Sequence, residues 1–145
     1  MDCHGGNVNA EEFSEAHTAE YNFRAVKTPA DVPNFCGRCH SDIEFMRKYK
    51  PSPRCDQAAE YWSSGHGKRL KEKNDPKVAT CVSCHGNHGI KKVDDLASPV
   101  YATNVAKTCS KCHSDADRMK GYERHGQPLR TDQFDQWKSS VHGKA

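Results

Sequence analysis

Apolar positions in this chain reach helical spacing only in short stretches, each ended by proline, glycine or a polar cluster. Asn9 to Glu20 is predicted as a short helix carrying Phe13 and His17. Tyr21 to Asn34 reads as loop, with Pro29 and Pro33 breaking any helix. Ser41-Asp42 can cap a helix through Ile43, Phe45, Met46 and Tyr49, which Pro51 and Pro53 stop. A longer helix is expected from about Asp56 to Lys73, bearing Ala59, Tyr61, Trp62, His66 and Leu70. Asn74-Asp75-Pro76 reads as a turn, and His88 to Ala102 as irregular chain. From Cys109 the pattern repeats, with a short helix to about Tyr122 and a longer one from Thr131 towards His142. No stretch alternates as a strand would. The expected fold is mainly α with much irregular loop and little or no sheet.

Composition sharpens this picture. Only 34% of the 145 residues are hydrophobic and 8% aromatic, while 28% are charged. A chain this polar cannot build an ordinary core unless something else supplies apolar mass. The net charge of +3 is spread along the chain, unlike the clustered basic face of a nucleic-acid binder. No run of about 18 apolar residues is present to span a membrane.

The missing mass is suggested by one pentapeptide pattern that occurs three times. Cys36-Gly37-Arg38-Cys39-His40, Cys81-Val82-Ser83-Cys84-His85 and Cys109-Ser110-Lys111-Cys112-His113 each read C-x-x-C-H. This is the attachment sequence for a c-type haem. Thiols three apart on one helical turn can both reach the vinyl groups of one porphyrin and form thioethers. The next residue, His40, His85 or His113, is then placed as the proximal iron ligand. Cys3-His4-Gly5-Gly6 has the form of Cys84-His85-Gly86-Asn87, with Met1-Asp2 filling the two x positions. Cys3 and His4 therefore read as the remnant of a fourth site whose first cysteine lies upstream.

The chain also repeats on a larger scale. A shift of 73 superposes Val32, Cys36, Cys39, His40, Ser41-Asp42, Met46 and Tyr49 on Val105, Cys109, Cys112, His113, Ser114-Asp115, Met119 and Tyr122. A shift of 76 superposes Asp56-Gln57, Ser63-Ser64 and His66-Gly67-Lys68 on Asp132-Gln133, Ser139-Ser140 and His142-Gly143-Lys144. Each unit is a pair of haem sites followed by a helix ending in His-Gly-Lys. The expected division is 1–76 and 77–145, packed as one multihaem domain, and both ends read as truncated.

Each iron has a sixth position, which a second imidazole turns into a stable electron carrier. Nine histidines less the four of the motifs leave His17, His66, His88, His125 and His142. His66 and His142 are expected as distal ligands, each ending an aromatic-bearing helix before a glycine that admits a porphyrin closely. His88 could ligate a neighbouring haem, and His17 follows the partial motif. His125 has no counterpart in the first unit and reads as a surface residue. Met46 and Met119 read as fillers against a haem edge, with axial ligation as the alternative. Cys55 reads as a spare thiol, with a disulfide to Cys3 as the alternative.

These residues resemble the multihaem c-type cytochromes of bacterial respiratory chains, and within them the large proteins built from repeated C-x-x-C-H and S-x-H-G-K elements. The resemblance covers essentially the whole chain. It implies closely packed haems forming the core, bis-His iron, and electron transfer to other redox proteins or adjacent haem modules. Covalent haem attachment belongs to exported bacterial proteins, so a periplasmic or extracellular location is expected. The opening Met1-Asp2-Cys3-His4 is no signal peptide, and a lost start is expected. The alternative function is a multihaem oxidoreductase acting on nitrogen or sulfur oxyanions at one open haem. Zinc held by paired C-x-x-C explains the thiols but not the histidine after every pair.

Overall fold

Short helices arise here because each apolar stretch is brief, and several begin at a polar residue whose side chain caps them. The computed structural model describes residues 3–144, which divide into two compact units between Cys81 and Val82. In the first unit α1 is Phe13–Ala16, followed by a 3-10 turn at Ala19–Tyr21. Then come α2 (Asp31–His40), α3 (Ile43–Arg47), α4 (Gln57–Ser63) and α5 (Gly65–Lys73). Helix α6 (Cys81–His85) begins at the division. The second unit continues with α7 (Val105–His113) and α8 (Ala116–Met119), then the strands β1 (Glu123–Arg124) and β2 (Gln127–Pro128). It closes with α9 (Gln133–Ser139) and α10 (Val141–Lys144). The strands pair antiparallel, Glu123 opposite Pro128 and Arg124 opposite Gln127, and form the one sheet among the described residues. The architecture is thus mainly α with little sheet, as the sequence suggests.

The internal repeat is a repeat of packing. In the first unit α2 packs on α3 and α4, and α4 packs on α5. In the second, α7 packs on α8 and α9, and α9 packs on α10. The caps repeat too. Asp42 accepts from the Phe45 N–H at 3.0 Å and starts α3, while Asp115 accepts from the Arg118 N–H at 2.9 Å and starts α8.

The expected helix from Asn9 to Glu20 is only α1 and the 3-10 turn, and two further expectations about helix ends are corrected. Pro33 does not break a helix but lies in the first turn of α2, where an N–H would have no helical acceptor. It is fully buried there. Asp31 begins that helix and accepts from Thr28 N–H (2.8 Å), Thr28 Oγ1 (3.0 Å) and Lys27 N–H (3.0 Å). These donors, Thr28 first, hold its carboxyl below the usual aspartate value.

The expected single helix from Asp56 to Lys73 is instead two, α4 and α5, because Ser64 is extended at ψ 165°. The Ser64 hydroxyl donates to the Tyr61 carbonyl at 2.6 Å and accepts from the Gly67 N–H at 3.1 Å, ending one helix and starting the next. Ser140 does the same between α9 and α10, with Trp137 O at 2.6 Å and Gly143 N at 3.3 Å.

Few apolar side chains are enclosed. Among the described residues the buried hydrophobic ones are Val32, Leu70 and Val78, whereas Phe13, Tyr49, Val93, Leu96 and Val141 are exposed. The accessible surface is 10879 Å² for a 16.2 kDa chain. A folded monomer of that mass exposes about 7,500 Å², and two separate domains of half the mass about 9,000 Å² together.

Candidate haem-attachment sites

Each complete C-x-x-C-H sequence forms a helical turn that stops at or just after its histidine. Cys36 and Cys39 lie in α2, Cys81 and Cys84 in α6, and Cys109 and Cys112 in α7, each pair three apart on one helix face. The eight cysteines are thiols, so Cys55 and Cys3 are not joined in a disulfide. Cys36, Cys39, Cys81, Cys84 and Cys112 are half-buried, and Cys109 is exposed. His85 and His113 are half-buried, and His40 is exposed.

The residue after the histidine sorts the sites into two kinds. Beyond His40 and His113 the chain closes the helix with a serine, Ser41 N–H donating to Gly37 O at 2.8 Å and Ser114 N–H to Ser110 O at 3.0 Å. An aspartate then caps the next helix. Beyond His85 and His4 the chain turns instead through Gly86 (φ 78°) and Gly5 (φ 67°), a left-handed conformation that suits glycine. Met1 and Asp2, read as the x positions of a fourth motif, lie outside the described residues.

The segment after Cys3 is zipped to the chain around α1. His4 O accepts from Arg24 N–H at 2.8 Å, and Gly6 N–H donates to Tyr21 O at 2.9 Å. His4 Nδ1 donates to Arg24 O at 3.0 Å, and His17 Nδ1 donates to Phe13 O at 2.7 Å. A carbonyl only accepts, so Nδ1 is the donor in both rings; in the neutral imidazole this tautomer leaves the Nε2 lone pair for a metal. Phe23 stands beside both rings, with centroids 6.4 Å from His4 and 4.4 Å from His17. Phe35 of α2 lies 4.7 Å from His4. Sequence patterning does not single out Phe23 or Phe35. Their only signal is being aromatic in a chain that has few aromatics.

The remaining candidates lie on separate elements. His66 is exposed in the first turn of α5, and His142 is exposed in α10. Neither ends an aromatic-bearing helix, since Ser64 and Ser140 break the chain just before. The glycines after them serve a helix contact in this structure. A Cβ on Gly67 would sit 2.0 Å from Tyr61 O, and one on Gly143 would sit 2.2 Å from Trp137 O. His88 is exposed in the loop after α6. His125 is exposed at the β1–β2 tip, where it and Gly126 both have positive φ (53° and 73°) as a two-residue hairpin turn requires. Met46 in α3 and Met119 at the end of α8 are half-buried.

The thiols are also placed relative to one another. Cys36 is hydrogen-bonded with Cys81, which together with burial pushes the Cys36 thiol up. Burial pushes Cys84 up, and Cys109 and Cys112 add to the shift. Both shifts favour the thiol over the thiolate. Tyr61 helps to place α6, donating its hydroxyl to Ala79 O at 3.0 Å, two residues before Cys81.

These residues fit a haem on observations of the chain itself. Paired thiols share a helix face, the tethered rings of His4 and His17 offer Nε2, and exposed apolar side chains await a cover. A family model for the doubled CXXCH motif matches residues 74–118, taking in the motifs at Cys81 and Cys109. No curated protein and no solved structure matches the chain. The match supports a c-type cytochrome-like haem-binding module over residues 74–118.

Proposed function

We propose that the chain carries electrons through several covalently attached c-type haems. The complete sites use Cys36, Cys39 and His40, then Cys81, Cys84 and His85, then Cys109, Cys112 and His113. A fourth uses Cys3 and His4. His66, His142, His88 and His17 supply distal imidazoles, so that most irons are bis-His. Bound haem supplies one-electron Fe(III)/Fe(II) chemistry. The protein's part is to fix the ring edges through paired thiols, orient imidazoles through Nδ1 and set the local burial. The partners are other redox proteins or adjacent haem modules, in the periplasm or outside the cell. The chain is organised as two haem-pair units. No described helix is long and apolar enough to cross a membrane.

The observation carrying this reading is the threefold recurrence of one helical C-x-x-C-H turn in a chain that encloses so few apolar side chains. The test is the mass of protein matured in a haem-attaching host. A gain of a whole number of haems, at least three, is expected. A colourless protein that is nonetheless compactly folded would overturn it.

A further inference from the structure

His4 and His17 are packed against one phenyl ring. Phe23 lies 6.4 Å from the His4 ring, inclined at 24°, and 4.4 Å from the His17 ring, inclined at 88°. Its backbone is tied to both histidine segments. Phe23 N–H donates to Thr18 O at 3.1 Å, and Arg24 N–H donates to His4 O at 2.8 Å. The imidazoles are tied as well, His4 Nδ1 to Arg24 O and His17 Nδ1 to Phe13 O. We propose that His4 and His17 serve two different irons: His17 is the distal ligand of the His40 iron, and Phe23 is the positioning residue that keeps it off the His4 iron. The assignment rests on the haem reading above and deepens it.

Triangulation excludes a shared iron. Two imidazoles on opposite faces of one iron, each bound at about 2.0–2.1 Å, have ring centres about 6 Å apart with the porphyrin plane midway. Phe23, 6.4 Å from one imidazole and 4.4 Å from the other, would then sit over the pyrroles. Its centre would be about 2 Å above the porphyrin plane and about 4 Å sideways from the iron. Carbon atoms in contact stand about 3.5–4.0 Å apart, so ring and porphyrin would interpenetrate.

Phe35 identifies the second iron. It directly precedes Cys36 in α2, and its ring lies 4.7 Å from His4. The cluster of His4, Phe23 and His17 therefore stands beside the α2 attachment turn, whose iron is the one held by His40. A ligand crossing from the segment of one haem to the iron of the next ties the two sites together.

The test uses the haem-loaded chain, with haems counted by mass and high-spin irons by electron paramagnetic resonance of the oxidised protein. Cys3→Ser removes the thioether of the His4 site. On that background His17→Ala is expected to add one high-spin iron, because the iron that His17 serves is still present. With Cys36→Ala and Cys39→Ala, which remove the other haem, His17→Ala is expected to add none. The reverse pattern, or the same result in both backgrounds, would overturn the assignment. A second measurement needs no substitution. In the fully reduced protein, whose six-coordinate irons are diamagnetic, proton NMR contacts from the His17 ring should run to the haem bonded to Cys36 and Cys39. Contacts to a haem bonded to Cys3 would refute the assignment. A chain that matures without haem defeats the haem reading and the assignment together, whereas a loaded chain with the reverse pattern defeats the assignment alone.

Discussion

Gly67 lies directly against the carbonyl of Tyr61, with 2.0 Å between that oxygen and the position a Cβ would take. The contact lets α5 fold back on α4, and Gly143 against Trp137 repeats it for α10 and α9. Gly67→Ala is expected to destabilise by about 3 kcal/mol, at the upper end of overpacking costs, because backbone cannot move aside as a side chain can. Gly65 has open space around its Cβ position, so Gly65→Ala should be neutral or stabilising by about 0.5 kcal/mol. Denaturant unfolding of the two variants checks the contrast. Equal effects would refute the contact.

The Asp42 and Asp115 caps predict a matched pair of losses. Each satisfies one backbone donor at a helix start. Replacing either with alanine should cost about 1 kcal/mol. Hydrogen exchange should quicken at the Phe45 amide in one variant and at the Arg118 amide in the other. Unchanged protection at those amides would rule out the capping role.

Tyr61 predicts a late ionisation. Burial, with Cys81 nearby, pushes its phenol up to about 12. The sign follows from the proton it holds. The bond to Ala79 O is fully present below the ordinary tyrosine value of about 10 and is lost as pH rises through about 12. Tyrosine resonance Raman titration of the folded, haem-loaded protein should show one of five tyrosines ionising after the others, and Tyr61→Phe should remove that step. A single transition at the ordinary value would contradict it.

The proposed ligand set predicts spectra. His142→Ala in the haem-loaded protein should turn one iron from low-spin to high-spin, and an unchanged spectrum would strike His142 from the set. Cys84→Ala should lower the haem content and stability of the matured protein, read by pyridine haemochrome and thermal unfolding. Full retention of both would show that Cys84 holds no haem.

Much of the local structure is legible in the residues. The Asp42 cap, the turn after α5 and the irregular stretch from His88 to Ala102 follow from polar caps, glycine and proline acting on their neighbours. Pro33 misleads because proline is a breaker inside a helix but harmless in its first turn, and the residues do not say where that turn begins. Ser64 has the look of one position in a continuous helix. Its capping role depends on Gly67 being close enough to donate.

The sequence alone determined the attachment turns and their repetition, since two thiols and a histidine within five residues need only one helical turn to share a face. Tertiary structure alone decided that Cys36 meets Cys81, and that His4 and His17 gather around Phe23 with Nδ1 tied to carbonyls. These partners are distant along the chain. Only the packing of α2 on α4 and the zipped segment near α1 bring them together, and no local periodicity encodes such a meeting.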